Sequence, residues 1–155
     1  MNIRNPIIKT LSTFFYVGYL PLIPGTAASI VGVLLFYLVK GSIFIYILST
    51  LALMVIGFLV AGQAERIFNK KDAKCIVIDE VSGMFLSLIF IPYGIKVVIL
   101  AFCLFRILDA LKPYPANKIQ GIRGSMGIMG DDIIAGLYTN IILQFVLRYA
   151  SFMTS

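Results

Sequence analysis

Five of the seven acidic residues of this chain stand in three clusters, Asp79-Glu80, Asp109 and Asp131-Asp132, each beside or inside an apolar segment. The chain is 60% hydrophobic, so much of it is suited to lipid. Carboxylates at membrane depth or at its edge are costly unless paired, hydrated or bound to a cation. Acids kept in such a setting suggest a metal site. There is no histidine, and the two cysteines, Cys75 and Cys103, form no CxxC pair. A donor set of oxygens alone fits Mg²⁺ better than zinc. Arg106, Lys112, Lys118 and Arg123 lie near the acids in sequence and suggest that an anion meets the metal.

Each cluster also has a plainer reading. Asp79 and Glu80 open an apolar stretch, VIDEVSGM, where acids would favour a helix macrodipole. Neighbours on a helix point about 100° apart, so one carboxylate is expected on the metal and the other on a ligand or water. FRILDALKP places Arg106, Asp109 and Lys112 at i, i+3 and i+6. That spacing gives either an intrahelical salt bridge or a mixed site, with Asp109 toward a cation and Arg106 and Lys112 toward phosphate oxygens. GSMGIMGDD spaces Gly124, Gly127 and Gly130 by three ahead of Asp131 and Asp132. Glycines let backbone amides approach an anion, and two acids exceed what a helix cap needs. In IPGT, Thr26 fits an N-cap with Ser29 one turn on. The alternative is that Thr26, Ser29 and the free amides form a rim for phosphate.

Several phosphoryl-transfer schemes are excluded. There is no Cys-x₅-Arg loop, no Asp-x-Asp pair, no GxxxxGK[ST] and no imidazole for a phosphohistidine. A carboxylate-held Mg²⁺ that screens phosphate charge and orients water remains. The net charge of +6 is not gathered into one long basic run. It fits membrane orientation and attraction to anionic headgroups rather than nucleic acid. A cation channel or transporter is the rival class, but an ion path should cross the membrane.

Positioning these residues requires helices. Expected are a short helix from about Pro6 to Tyr19, a break at LPLIPGT, and helices over about 26–39, 42–64, 76–91, 97–111 and 131–149. Pro113 and Pro115 stop the fifth of these, Tyr93-Gly94 marks a turn, and 118–130 is expected as a glycine-rich loop. The predicted fold is a single all-α membrane domain over 1–155, a polytopic bundle of about four spanning helices with a re-entrant or interfacial first helix. With alternating helices, Lys40, Lys96 and Arg148 fall on one face and the other 10 of the 13 basic residues on the opposite, cytoplasmic face. All seven acids and the Pro24-Gly25-Thr26 loop fall on that same face.

Together, GYLPLIPGTAAS (18–29), IVIDEVSGM (76–84), FRILDALKPYP (105–115) and GSMGIMGDDIIAG (124–136) resemble the phosphatidylglycerophosphatase A family, in order and spacing, over about residues 14–149. The resemblance implies a Mg²⁺-dependent enzyme of the bacterial inner membrane, facing the cytoplasm. Such an enzyme removes the terminal phosphate of phosphatidylglycerophosphate. It places functional residues at Pro24, Gly25, Thr26, Ser29, Asp79, Glu80, Arg106, Asp109, Lys112, Asp131 and Asp132. Glu80, Asp109 and Asp132 are the first expected metal ligands, with Asp79 and Asp131 completing the shell. Arg106, Lys112 and Arg123, with Thr26 and Ser29, are expected on the phosphate. Ala28 stands where some relatives carry glycine.

Overall fold

A computed structural model describes residues 4–153 of the chain, and the regular elements among them are all helices, without strands. The helices are α1 (Arg4–Ser12), α2 (Pro24–Val39), α3 (Ile43–Phe68), α4 (Ile78–Ser87), α5 (Ile95–Leu111), α6 (Ala116–Ile119) and α7 (Ser125–Met153), with one 3-10 turn at Val17–Tyr19.

Local chemistry sets most of the boundaries. Pro24 opens α2 at a first-turn position, where its missing N–H is no loss. Ser42 caps α3 by accepting from the Ile45 amide at 3.5 Å. Asn69, in the left-handed region at φ 49°, closes α3. Lys112, also left-handed, ends α5 directly before Pro113. The first helix is shorter than its apolar run suggests, because Phe14, Phe15 and Tyr16 all take positive φ and turn the chain after Ser12.

α4 is the centre of the bundle and packs against α2, α3, α5 and α7. Of its ten residues only Leu86 and Glu80 are not fully buried. Phe36 of α2, Tyr46 of α3, Met84 and Phe85 of α4, Phe105 of α5 and Leu143 of α7 make one core around it. A second core joins α1, α3 and the start of α7 through Ile8, Val60, Ala61, Ile78 and Met129. A helix this short and this enclosed needs its terminal carbonyls satisfied from elsewhere. Asn140 of α7 donates to Ser87 O at 3.0 Å and to Ile89 O at 2.7 Å. The Tyr46 hydroxyl donates to Phe85 O.

α3 and α7 are long and apolar enough to cross a membrane. At 1.5 Å per residue, the 26 residues of α3 run about 39 Å, beyond the roughly 30 Å of a hydrocarbon core. Most of α3 faces outward: Phe44, Leu48, Leu51, Val55 and Leu59 are exposed. An apolar helix with an apolar outer face suits lipid rather than water. The expected four spans are corrected in one place. The segment expected over 76–91 is helical only from Ile78 to Ser87, about 15 Å of helix, too short to cross by itself. It lies inside the protein instead. α2 and α5 have 16 and 17 residues, shorter than a freestanding span requires.

A second correction concerns 118–130, expected as a loop. α7 begins at Ser125, six residues before Asp131. Gly124 turns the chain into α7, and Gly127 and Gly130 form a helix face rather than a flexible turn. A Cβ on Gly127 would strike Ile122 O, and one on Gly130 would strike the Ile119 side chain. The small face therefore lets α7 lie against the α6 region. Asp131 and Asp132 project from the second turn of a formed helix, so they do not cap it.

Candidate active site

Four helix ends converge: the N-termini of α2 and α4, the C-terminus of α5 and the early turns of α7. The ends of α2, α4 and α5, with the loop that precedes α4, enclose a pocket of about 410 Å³ whose walls include Pro24, Gly25, Thr26, Glu80, Arg106, Asp109 and Lys112. Residues from all four motifs thus meet at one end of the bundle, with Asp132 just behind the pocket.

Asp79, Glu80 and Asp132 each offer a carboxylate oxygen, and these atoms lie within 4.8 Å of one another. Neighbouring Asp79 and Glu80 therefore do serve one point, although their Cβ vectors diverge. α7 reaches this position because α4 and α7 cross closely: a Cβ on Gly136 would run into Gly83 O, and one on Gly83 into Asp132 O. Asp79 Oδ1, Glu80 Oε2, Asp131 Oδ1 and Asp132 Oδ2 are buried with no hydrogen-bond partner among the described residues. Orphaned carboxylate oxygens in this number are rare in folded proteins. Packed together they repel one another and lack water, and a hard cation supplies what is missing. The oxygen donor set and the orphaned atoms fit Mg²⁺.

The cations are tethered beside this cluster. Arg106 Nη1 donates to Asp109 Oδ2 at 2.8 Å, the intrahelical bridge its spacing allows. Lys112 lies 3.9 Å from Asp109 Oδ1 and forms its closest ion pair with Asp131 Oδ2. Burial opposes the Lys112 ammonium. The hydrogen bond and charge of Asp131, with Asp132 and Asp109 nearby, outweigh burial and raise its pKa above the ordinary lysine value. The two side chains that pair with cations, Asp109 and Asp131, thus stand next to the carboxylate trio without belonging to it. Asp109 remains in electrostatic reach of both Glu80 and Asp132.

α2 closes the site from above. Its N-cap, Ile23, supplies no side-chain acceptor, so Thr26 is an early helical residue and not the cap. The Gly25 and Thr26 amides have no backbone acceptor among the described residues, and both residues line the pocket. Such amides favour an anion. Gly25 approaches so closely that a Cβ would collide with Glu80 Oε1 and lie 3.4 Å from Arg106 Nη1. Ser29 is elsewhere: it is buried, and its hydroxyl donates to Gly25 O at 2.9 Å within α2. Arg123 lines a different concavity, between α3 and α7.

Sequence reasoning passed over Lys74 and read Asp72 first as a balance for nearby lysines and only second as an extension of the acidic site; both line the pocket. The loop after α3 carries them there, and Gln120 holds Asp72 with a 3.3 Å hydrogen bond. The loop's charges read as a solvated connection, and nothing local in sequence marks their return to the site. Leu22 and Ile23, both strongly exposed, form an apolar lip on the same pocket.

The family model for phosphatidylglycerophosphatase A matches residues 10–147. The chain belongs to the phosphatidylglycerophosphatase A family. The Escherichia coli protein named phosphatidylglycerophosphatase A is 34% identical over 149 residues, covering 94% of this chain and 86% of that protein. Its Haemophilus influenzae namesake is 32% identical over 155 residues, covering 96% and 93%. A Bacteroides thetaiotaomicron protein, provisionally named a phosphatidylinositol-3-phosphatase, is 35% identical over 144 residues, covering 86% and 89%. No solved structure matches. Membership makes this phosphatidylglycerophosphatase A family protein a phosphoric monoester hydrolase.

Proposed function

We propose that the chain hydrolyses the terminal phosphomonoester of phosphatidylglycerophosphate, giving phosphatidylglycerol and phosphate, at the cytoplasmic surface of a bacterial inner membrane. One observation carries this reading. Three carboxylates, each with a buried, orphaned oxygen, adjoin a pocket that also holds Arg106, Lys112 and the free amides of α2. That is an arrangement for an anion held beside a cation. The family relatives named for this reaction support the choice of substrate.

Asp79, Glu80 and Asp132 would hold Mg²⁺, with Asp109 at the edge of the shell. A bound Mg²⁺ supplies positive charge to the phosphate oxygens and to the attacking water. The rest is the work of the chain. Arg106 and Lys112 neutralise the phosphate, and their aspartate partners keep both side chains extended into the pocket before substrate arrives. Holding charges ready in a partly dry site is the largest contribution such a protein can make to phosphoryl transfer. The Gly25 and Thr26 amides add donors at a helix start. The apolar lip of Leu22 and Ile23 lets the lipid's glycerol end leave the bilayer while its tails stay in it.

The test is turnover of purified protein on a panel of lipid phosphates, with phosphatidylglycerophosphate and phosphatidylinositol-3-phosphate side by side, with and without Mg²⁺. Preferred, Mg²⁺-dependent release of phosphate from phosphatidylglycerophosphate is expected. Preference for the inositol lipid would replace the substrate and leave the site standing.

A further inference from the structure

A concavity larger than the catalytic pocket lies elsewhere on the protein. It has a volume of about 620 Å³ and lies between the C-terminal end of α3 and the start of α7. Four cations surround it, Arg66, Lys70, Lys71 and Arg123, with a single carboxylate, Glu65. Glu65 is already engaged, accepting from the Gly124 amide at 2.6 Å. Lys71 donates to Gly121 O at 3.0 Å. Arg66, Lys70 and Arg123 form no salt bridge among the described residues. Four cations gathered around one concavity with a single carboxylate among them keep a net repulsion. Membrane orientation calls for cations on this side of the protein. It does not call for three of them to face one hollow.

The floor of that hollow is fixed. Ser125 Oγ accepts from the Gly62 amide at 2.8 Å, and the Glu65–Gly124 bond lies beside it, so α3 and α7 are tied together there. Gly124, at φ +82°, turns the chain into α7 where most other residues would be strained. The wall along α3 changes character in a useful order. Leu59 and Arg66 are seven residues apart, two turns of one helix face and about 10 Å. Leu59 is 62% exposed and apolar, and it lines the same concavity as Arg66. Apolar wall followed by cations is the order of a phospholipid, acyl chain followed by phosphate, at the end of a helix long enough to span the bilayer.

We propose that this concavity is a second lipid site, distinct from the catalytic pocket, in which Arg66, Lys70 and Arg123 hold the phosphate of an anionic phospholipid whose acyl chain lies along Leu59. The chemistry recognised is a phosphate beside an apolar chain. A bilayer lipid supplies both, and free phosphate supplies only the first.

The experiment uses purified full-length protein in a neutral detergent. Phosphatidylglycerol carrying a photoreactive diazirine is titrated, and adducts are mapped by mass spectrometry, with the matching phosphatidylcholine probe as comparison. Saturable labelling of the 59–71 segment by the anionic probe is expected, with little from the zwitterionic one. Arg66→Gln/Lys70→Gln, which leaves the catalytic pocket untouched, should weaken that labelling by about thirtyfold, the loss of two surface cations to an anionic lipid. Its phosphatase turnover should stay near wild type, so failure here is separate from failure of the catalytic reading. Equal labelling by both probes, or labelling of the double variant at wild-type affinity, overturns the site. Displacement of the lipid by inorganic phosphate at matching concentration overturns the lipid assignment and leaves a free-phosphate site.

Discussion

Gly25 begins the first turn of α2 directly against the Glu80 carboxylate, with no room for a Cβ between them. The contact ties the anion-favouring end of α2 to the acidic end of α4. Gly25→Ala should therefore push Glu80 away from Asp79 and Asp132 without removing any charged group. Misplacing a catalytic group by about 1 Å is enough to lose on the order of 10²-fold in rate. The expected result is that loss in kcat with a melting temperature close to wild type. Wild-type turnover in Gly25→Ala would show that the approach of α2 to Glu80 is packing alone.

Metal dependence is the next prediction. Chelation with EDTA should abolish phosphate release, and Mg²⁺ should restore it. Because Mn²⁺ takes similar oxygen ligands, its binding can be followed by electron paramagnetic resonance without reference to activity. Asp132→Asn should lose bound Mn²⁺, since it removes one of the three oxygens that lie within 4.8 Å of one another. Hydrolysis that continues undiminished in chelator contradicts the metal reading.

Asn140 makes a prediction about stability. It supplies two of the hydrogen bonds that close the buried C-terminal end of α4. Asn140→Ala leaves the Ser87 and Ile89 carbonyls unsatisfied, and each such group costs about 1–3 kcal/mol. Thermal unfolding in detergent should drop by several degrees, and activity should fall only as folded protein is lost. An unchanged melting temperature would mean that these carbonyls find other partners.

Asn140 also shows where the sequence stops being informative. The run from Ile76 to Ile91 is mostly apolar around Asp79 and Glu80 and reads as a span. What ends its helix at Ser87 is a side chain 53 residues away, which no local pattern announces. Likewise, the glycines at 124, 127 and 130 read as a loop, because the use of Gly127 and Gly130 as a packing face depends on Ile122 and Ile119 meeting them. The boundaries of α2 and α5 were legible because their signals are local: Pro24 at the start of one, Pro113 after the other. The site was legible for a related reason. Charges are so sparse in this chain that the clustered acids and the bases near them stand out, and most of them meet at one end of the bundle. Lys118 and Arg123 were the exceptions: Lys118 stacks over the Tyr114 ring and Arg123 lines the other concavity, because sequence proximity to the acids does not say which way the turn before α7 faces.

The last prediction separates the two roles open to Asp109. Its carboxylate accepts from Arg106 at 2.8 Å, lies 3.9 Å from Lys112, and sits in reach of Glu80 and Asp132. As a metal ligand it acts in the transition state. As a tether it holds Arg106 toward the phosphate. Asp109→Asn keeps the size of the side chain and one hydrogen-bond acceptor, so Arg106 retains a neutral partner while the charge is lost. If Asp109 is a ligand, Asp109→Asn should resemble Asp132→Asn: folded protein, Mn²⁺ affinity reduced, and kcat down by on the order of 10²-fold or more. If it is a tether, Mn²⁺ affinity should hold while KM rises and the melting temperature falls. The shared reach of Asp109 to two of the three clustered carboxylates favours the first outcome. Glu65→Gln is the control. It keeps an acceptor for the Gly124 amide, weakens a charge-assisted bond to a neutral one, and lies outside the catalytic pocket, so its turnover should be nearly wild type. Near-wild-type rates in both Asp109→Asn and Asp132→Asn would remove the site as described.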